Sequence, residues 1–235
     1  MPRVILKLSG EVLAGSVKIG LDPTVLNRTA TELVSAQKDG AQTAIVLGGG
    51  NIFRGLDNAA KGMDRVTGDQ MGMLATIING LALLDAINRA GGTGELFTSF
   101  PVGPVGNLYA PHRVRETIKR GAIAILAGGT GNPFFSTDTA AALRAAELNC
   151  DLLLKGTKVD GVYDKDPEAH PDAKRYESMT IDDMLEQRLG VIDLTAATLC
   201  RENNIDIRVY SMTDKNMIHR AALGEPIGTL VTSKK

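Results

Sequence analysis

The chain has 235 residues and a formal net charge of −1, which is enough for one large domain or two lobes around a substantial core. The near-zero charge argues against a general binder of nucleic acid or anionic membranes, although it leaves room for a local basic pocket. Cys150 and Cys200 form no metal or disulfide pattern, which favours a reduced, cytoplasmic setting. The apolar run at the start is too short for a signal peptide, and no run approaches the ~20 apolar residues of a membrane span.

Short apolar runs typical of strands alternate with longer segments of helical periodicity. We predict strands at 4–8, 44–47, 95–98, 122–127, 151–154, 207–210 and 229–231. We predict helices at 24–38, 68–90, 113–120, 139–148, 181–187, 194–202 and 215–223. This alternation is typical of an α/β fold, a three-layer α/β/α sandwich with a mainly parallel central sheet, which we expect to form one domain over residues 1–235. The irregular stretch 155–179 is interpreted as a functional loop region.

Glycine-rich loops follow several of the predicted strands, at the edge where open α/β sheets bind their ligands. Backbone N–H groups in such loops can approach an anion closely. Any single loop is better explained as a plain strand-to-helix turn, but the combination favours a phosphate site. The sequence contains neither a P-loop nor a dinucleotide-binding motif, which disfavours those folds. The loops are 7–10, 48–51, 128–132 and 155–158.

Lys7 is the most informative single residue, because a lysine inside an apolar strand is costly to bury. It either faces solvent on an edge strand or meets a negative partner, and its place before Ser9 and Gly10 favours a phosphate contact. Phe134 and Phe135 are more typical of a core than of a base-stacking platform. The acidic candidates, each alone more readily explained as a helix cap or turn residue, are Asp69, Asp138, Asp166 and Asp193.

Five segments together resemble the amino acid kinase family and, within it, the bacterial uridylate kinases. They read ILKLSGE, VLGGGNIFRG, DQMGMLATIINGLAL, GGTGNPFFSTDTAA and LLKGTKVDGVYDKDP, in family order over most of the chain. The resemblance implies transfer of the ATP γ-phosphate to UMP, with Mg²⁺ accompanying ATP, in a cytoplasmic homohexamer that serves pyrimidine nucleotide synthesis. It also implies an N-terminal lobe for UMP, about 1–150, and a C-terminal lobe for ATP, about 151–235.

The resemblance also implies roles for individual residues, but it assigns no residue to a metal site. Those implied to be catalytic are Lys7, Arg54, Asp138 and Asp193. Those implied to bind ATP are Lys7, Leu8, Ser9, Gly10, Gly50, Arg54, Thr157, Tyr163 and Asp166. Those implied to bind UMP are Gly49, Asp69, Thr130, Gly131, Asn132, Pro133, Phe134, Phe135, Ser136 and Thr137.

The chemistry of the acidic residues fits these roles in part. An ionised Asp69 suits a ribose hydroxyl, because a carboxylate only accepts hydrogen bonds. Asp138 would either orient Lys7 or lie near the metal, and the sequence does not choose between them. Asp193 stands where related kinases of carboxylate substrates carry a second lysine, so an acid there favours a nucleotide acceptor.

Two other functions stay open from the sequence. One is an enzyme of the same fold that phosphorylates a small carboxylate or carbamate, and the other is a non-catalytic nucleotide-sensing module. Lys7, Arg54 and Asp138 favour an enzyme, because a silent module has no need of them. The resemblance further implies GTP as an activator and UTP as an inhibitor. The segments 84–89 and 94–96 carry little positive charge beyond Arg89, so the resemblance extends to GTP activation only weakly.

Overall fold

The computed structural model describes residues 3–17, 19–53 and 62–234, and its strands form one nine-stranded sheet within those ranges. The strands are β1 Arg3–Leu8, β2 Gln42–Leu47, β3 Gly94–Thr98, β4 Asn107–Leu108, β5 Ile123–Ala127, β6 Leu152–Thr157, β7 Ser178–Thr180, β8 Asp206–Ser211 and β9 Thr229–Thr232. Their order across the sheet is β4-β3-β5-β2-β1-β6-β8-β9-β7. The pairings are parallel except for β8 with β9, so the predicted mainly parallel sheet is confirmed.

Helices cover both faces of this sheet and complete the predicted three layers. Those described are α1 Gly10–Leu13, α2 Pro23–Lys38, α3 Arg65–Arg89, α4 Pro111–Lys119, α5 Thr137–Leu148, α6 Ile181–Glu186, α7 Leu194–Glu202 and α8 Met217–Ala222. The apolar core on one face lies under α1, α2, α3 and α8. The core on the other face lies under α4, α5, α6 and α7. Each core is closed by apolar side chains that alternate along the strands.

The central strand β1 shows how this alternation places a charge. Leu6 and Leu8 enter the core under α2 and α3, whereas Ile5 and Lys7 point to the face that α5 covers. Because β1 lies between β2 and β6, Lys7 is on an interior strand, and the interpretation of an edge-strand lysine facing solvent is wrong. In the register of β1 with β6, Lys7 lies directly beside Lys155.

Helix α5 lies close to the sheet because its inner face is built from alanines. Ala140, Ala141 and Ala145 have no exposed surface. The helix begins where Ser136 caps it, with its hydroxyl accepting from the backbone N–H groups of Asp138 and Thr139 at 3.0 Å each. The cap belongs to Ser136, so the side chain of Asp138 is left to make other contacts.

By length and composition alone, the helix α3 is long and apolar enough to span a membrane. Half of its most apolar stretch is buried inside the fold. The helix packs against α2, β3 and β5, and residues such as Ile77, Leu83 and Ile87 join the core there. These contacts account for the apolar residues on the inner face of the helix.

Candidate active site

Three charged side chains meet where β1 and β6 end and α5 begins. The Nζ of Lys7 lies 2.9 Å from one oxygen of Asp138, and the Nζ of Lys155 donates to the other at 2.5 Å. All three side chains are largely buried, with about 12–13% of their surfaces exposed. Two adjacent buried lysines repel each other, so Asp138 supplies the counter-charge that lets both remain. Of the two roles left open for Asp138, the contact favours orientation of Lys7.

The electrostatics of this cluster agree with its geometry. Burial alone would raise the pKa of Asp138, but Lys7 and Lys155 outweigh burial and hold that pKa below its usual range. Burial lowers the pKa of Lys155, and the attraction of Asp138 offsets only part of that change. The cluster therefore carries an ionised carboxylate and excess positive charge, which suits an anionic ligand.

The glycine loops after β1 and β2 pack directly on each other beside this cluster. A Cβ on Gly10 would lie 2.5 Å from Asn51 Oδ1 and 2.8 Å from the carbonyl oxygen of Gly48, so only glycine fits. A Cβ on Gly49 would lie 2.7 Å from the carbonyl oxygen of Gly72 in α3. The predicted convergence of these loops is thus a close backbone contact that no larger residue permits.

A pair of buried amides fastens this contact to α3. Asn79 Nδ2 donates to the carbonyl oxygen of Gly48 and to Asn51 Oδ1, both at 2.7 Å. Asn51 Nδ2 donates to the carbonyl oxygen of Gly20 at 2.7 Å and to Asn79 Oδ1 at 3.1 Å. The two amides connect the loop after β2, the helix α3 and the segment that ends at Gly20.

Replacing Asn79 by leucine is expected to lower the free energy of unfolding by about 2–3 kcal/mol, because it leaves buried polar partners unpaired at nearly constant volume. Urea unfolding followed by circular dichroism measures the change. The matched control is Asn88→Leu, an exposed position on the same helix, for which we expect a change within about 0.5 kcal/mol. Equal losses in the two variants would contradict a structural role for the amide pair.

A cavity of about 210 Å³, here called the acceptor cavity, opens between α3 and the loop after β5. It is polar and rich in glycine, so backbone groups can approach a ligand closely. Eight of the residues implied to bind UMP or ATP line it, namely Gly49, Gly50, Asp69, Thr130, Asn132, Phe135, Ser136 and Thr137. The loop after β5 and the start of α5 form one wall, as the sequence predicts.

Asp69 joins α3 to the far end of this loop. Its Oδ2 accepts from the backbone N–H of Phe134 at 2.7 Å and from Arg65 Nε at 2.8 Å. Phe134 adopts the left-handed backbone conformation with φ of 71°, and the guanidinium of Arg65 lies over its ring at 5.5 Å. Phe134 and Phe135 are 66% and 51% exposed, so the interpretation of both as core residues is wrong. The left-handed backbone at Phe134 and its hydrogen bond to Asp69 hold this part of the loop at the surface.

A second cavity of about 620 Å³, here called the donor cavity, lies beyond β6 and β8. Lys155, Thr157, Tyr163 and Asp166 line it. Thr157 Oγ1 donates to the carbonyl oxygen of Val159 at 2.6 Å, which forms a local turn at the end of β6. Three of the residues implied to bind ATP, namely Thr157, Tyr163 and Asp166, thus share one cavity, and Lys155 connects it to the charge cluster.

Several residues implied by the resemblance lie outside both cavities. The side chain of Leu8 is fully buried in the core, so it can offer a ligand only backbone atoms. Asp193 caps α7 through the N–H of Ala196 at 2.9 Å and accepts from the hydroxyls of Ser136 and Thr139. Others outside the cavity linings are Lys7, Ser9, Gly10, Gly131, Pro133, Phe134 and Asp138. Arg54 lies outside the described residues.

Lys155 is the residue that the sequence interpretation did not select. Its signal was available, because LLLKG repeats the pattern of an apolar strand ending in lysine that marks Lys7 in VILKL. The strand was predicted to stop at 154, but β6 continues to Thr157 because it pairs with β1 on one side and β8 on the other. That extension places Lys155 beside Asp138.

The side chains that the structure describes do not form a metal centre of their own. Across 3–17, 19–53 and 62–234, no three His, Cys, Asp or Glu side chains come together as a metal site. Asp138, the carboxylate of the charge cluster, is already held by two lysines. A metal brought in with a phosphate ligand would therefore rely on the oxygens of that ligand.

Comparisons with known proteins agree with this arrangement. The sequence model described as the amino acid kinase family matches residues 2–211. A uridylate kinase from Xanthomonas oryzae pv. oryzae is 51% identical over 232 residues, which cover 99% of this chain and 97% of that relative. A solved UMP kinase from Bacillus anthracis superposes with a TM-score of 0.94 at 35% identity, covering 100% of this chain and 97% of that one. A UMP kinase from Ureaplasma parvum gives a TM-score of 0.92 at 36% identity, covering 98% of each chain.

Proposed function

This chain belongs to the amino acid kinase family, and from that premise we propose that it is a kinase that transfers the γ-phosphoryl group of ATP to UMP, forming UDP and ADP. The observation that carries the proposal is the cluster of Lys7, Asp138 and Lys155 beside the two cavities. A nucleotide in each cavity would direct its phosphates toward this cluster. The names and near-complete coverage of the similar proteins support UMP as the acceptor.

The reaction needs positioning and positive charge more than acid–base chemistry. An oxygen of the UMP phosphate attacks the γ-phosphorus, and the bond from that phosphorus to the β–γ bridging oxygen breaks. The acceptor is already an anion at neutral pH, so no side chain has to remove a proton. Lys7 and Lys155 would stabilise the negative charge that spreads over the transferring group, and Asp138 would hold both ammonium groups in place.

The acceptor cavity suits UMP by the kind of group that it presents. In the acceptor cavity, Asp69 would accept from a ribose hydroxyl with the oxygen that Phe134 and Arg65 leave open. Thr130, Asn132 and Thr137 would supply hydrogen bonds to UMP. The cavity linings also support an acceptor lobe of about 1–150 and an ATP lobe of about 151–235, because they divide near that point.

Kinases of this family use a divalent metal with ATP, and we propose Mg²⁺ as that metal. The described residues provide no dedicated ligand set, so we propose that Mg²⁺ arrives as its complex with ATP. When bound, it neutralises part of the phosphate charge. Catalysis by the chain itself then depends on the lysines and on the backbone groups of the glycine loops.

We further propose that the enzyme is a cytoplasmic homohexamer of pyrimidine nucleotide synthesis. The outward face of α3 carries Met71, Leu74, Ile78 and Leu81, whose apolar side chains are 39–51% exposed. A second copy could cover this stripe, which is unusual for a surface helix. GTP as an activator and UTP as an inhibitor belong to the same proposal. Arg89, the basic residue noted above for GTP activation, already donates through its guanidinium to Asp85 and Asn27.

A coupled ADP-release assay tests the proposed function directly. We expect brisk turnover with UMP as acceptor and much slower turnover with CMP, AMP, acetylglutamate or carbamate. Turnover with a carboxylate or carbamate and none with UMP would overturn the proposal and favour another reaction of the family. Binding of UMP without turnover by any acceptor would instead favour a nucleotide sensor.

Thr137→Ala is expected to raise the KM for UMP about tenfold and to leave the KM for ATP unchanged, because Thr137 lines the acceptor cavity and not the donor cavity. Thr157→Ala provides the mirror-image control, since Thr157 lines only the donor cavity. Steady-state kinetics with each nucleotide varied in turn separates the two effects. Equal changes in both KM values for Thr137→Ala would contradict its place in the acceptor site.

A further inference from the structure

The loop 128–131, here called the acceptor loop, has a backbone that only glycines adopt readily. Gly128, Gly129 and Gly131 have φ values of 85°, 61° and 84°. Glycine makes this shape accessible but does not select it over others, because glycine also loses the most conformational freedom on ordering. Contacts from elsewhere in the fold must therefore fix the direction in which each peptide group of the loop points.

Two donors hold the carbonyl oxygen of Gly129. Ser99 Oγ donates to it at 2.7 Å, and Arg144 Nη2 donates at 3.3 Å. In a planar trans peptide the carbonyl and the following N–H point in opposite directions, so these donors turn the N–H of Thr130 away from themselves. Thr130 lines the acceptor cavity, and within the part of the chain that the structure describes its N–H meets no acceptor. The loop thus presents an oriented, unused donor on the side of the acceptor nucleotide.

Arg144 is itself held rigidly although it lies two turns into α5. Its side chain is only 7% exposed, and its guanidinium stacks on the ring of Tyr109 at 3.9 Å. Its Nη1 donates to Glu147 Oε2 at 2.7 Å, and the hydroxyl of Tyr109 donates to the same oxygen at 2.6 Å. Burial and the nearby Glu147 raise the pKa of Tyr109, so its hydroxyl keeps its proton. The planar guanidinium reaches Glu147 and Gly129 with two separate nitrogens, whereas a lysine has one donor nitrogen on a differently shaped side chain.

We propose that Arg144 is a positioning residue for the acceptor nucleotide, which it never touches. It fixes the peptide between Gly129 and Thr130 and so directs the N–H of Thr130 at UMP. This inference rests on the proposed function, because it takes UMP as the occupant of the acceptor cavity. Arg144 makes no contact with the donor cavity, so ATP binding is independent of it.

Arg144→Lys is the test, because it keeps the positive charge near Glu147 but leaves one donor nitrogen where the guanidinium has two in use. We expect the KM for UMP to rise about tenfold, with the KM for ATP unchanged and the midpoint of urea unfolding close to that of the wild type. The matched control is Arg115→Lys, since Arg115 Nη1 donates to the carbonyl oxygen of Glu147 at 2.7 Å but does not reach the acceptor loop. We expect Arg115→Lys to leave both KM values unchanged.

A second variant keeps the test decisive if Arg144→Lys destabilises the fold. Ser99→Ala removes the other donor to Gly129, and we expect it to raise the KM for UMP as well. In the double variant Arg144→Lys/Ser99→Ala, the rise in this KM should be smaller than the product of the two single rises, because both residues act on the same peptide group. Unchanged KM for UMP in a folded Arg144→Lys or Ser99→Ala protein would overturn the inference. Equal rises for UMP and ATP would do the same. Absence of UMP turnover in the wild type would instead refute the proposed function on which the inference rests.

Discussion

Replacing Lys7 by alanine is expected to lower kcat for UMP phosphorylation by about 10²–10³-fold, the usual loss when one well-placed donor to a developing charge is removed. The expected site of the loss is the transition state, because Lys7 belongs to the charge cluster toward which the transferring phosphoryl group would be directed. The KM values for UMP and ATP should therefore change far less than kcat. Steady-state kinetics over both substrates separates these quantities.

The fold should survive this substitution, since Asp138 keeps its contact with Lys155 and no buried charge is left alone. Lys119→Ala in α4, an exposed position outside both cavities, is the control for loss of a lysine without loss of function. A kcat near the wild-type value in a folded Lys7→Ala enzyme would refute the role given to Lys7. A loss confined to the KM for ATP would assign Lys7 to ground-state binding instead.

Asp138→Asn is expected to lower the free energy of unfolding by about 3 kcal/mol, because it leaves Lys7 and Lys155 side by side without a counter-charge. This loss is at the low end of the cost of breaking a buried ion pair, since about an eighth of each side chain stays exposed to solvent. Urea unfolding at pH 7 measures the loss. The control is Asp172→Asn, whose partner Lys165 is a surface residue and whose effect should stay within about 0.5 kcal/mol.

The pH dependence of the Asp138→Asn deficit follows from Lys155. Burial already lowers the pKa of Lys155, and loss of Asp138 removes the attraction that raises it. In the variant, the unfolded chain then binds more protons than the folded one below the ordinary lysine pKa, so stability rises with pH. We expect the deficit to shrink as the pH is raised from about 7 to about 10. A deficit independent of pH over this range would contradict the assignment of the loss to unpaired lysines.

The sequence predicted the regular elements of the fold because each carries its own periodic signal. Helix α2, for example, combines an Asp22 cap, Pro23 in its first turn and apolar residues such as Leu26 and Leu33 on one side. The elements that it did not predict are α1, β4 and β7, which are too short to show a period. β4 and β7 exist through pairing with β3 and β9, and such pairing is a tertiary property.

The candidate site was predictable in its parts and less so in its contacts. The loops after β1, β2 and β5 stand at strand ends in the sequence, so their convergence follows from a parallel sheet. The contact of Asp138 with Lys155 depends on the register of β1 with β6 and on the close approach of α5, which no local pattern encodes. The same is true of Arg144, since its helical spacing gives no sign of the loop that it reaches.

The central claim is the transfer of the γ-phosphoryl group from ATP to UMP, which can be followed with γ-labelled ATP. The purified enzyme is incubated with labelled ATP, Mg²⁺ and UMP, and the products are separated by anion-exchange chromatography. The account predicts that the label appears in UDP in step with ADP formation and that little appears as inorganic phosphate. Label released as inorganic phosphate, or label that stays in ATP while UMP binds, would contradict it.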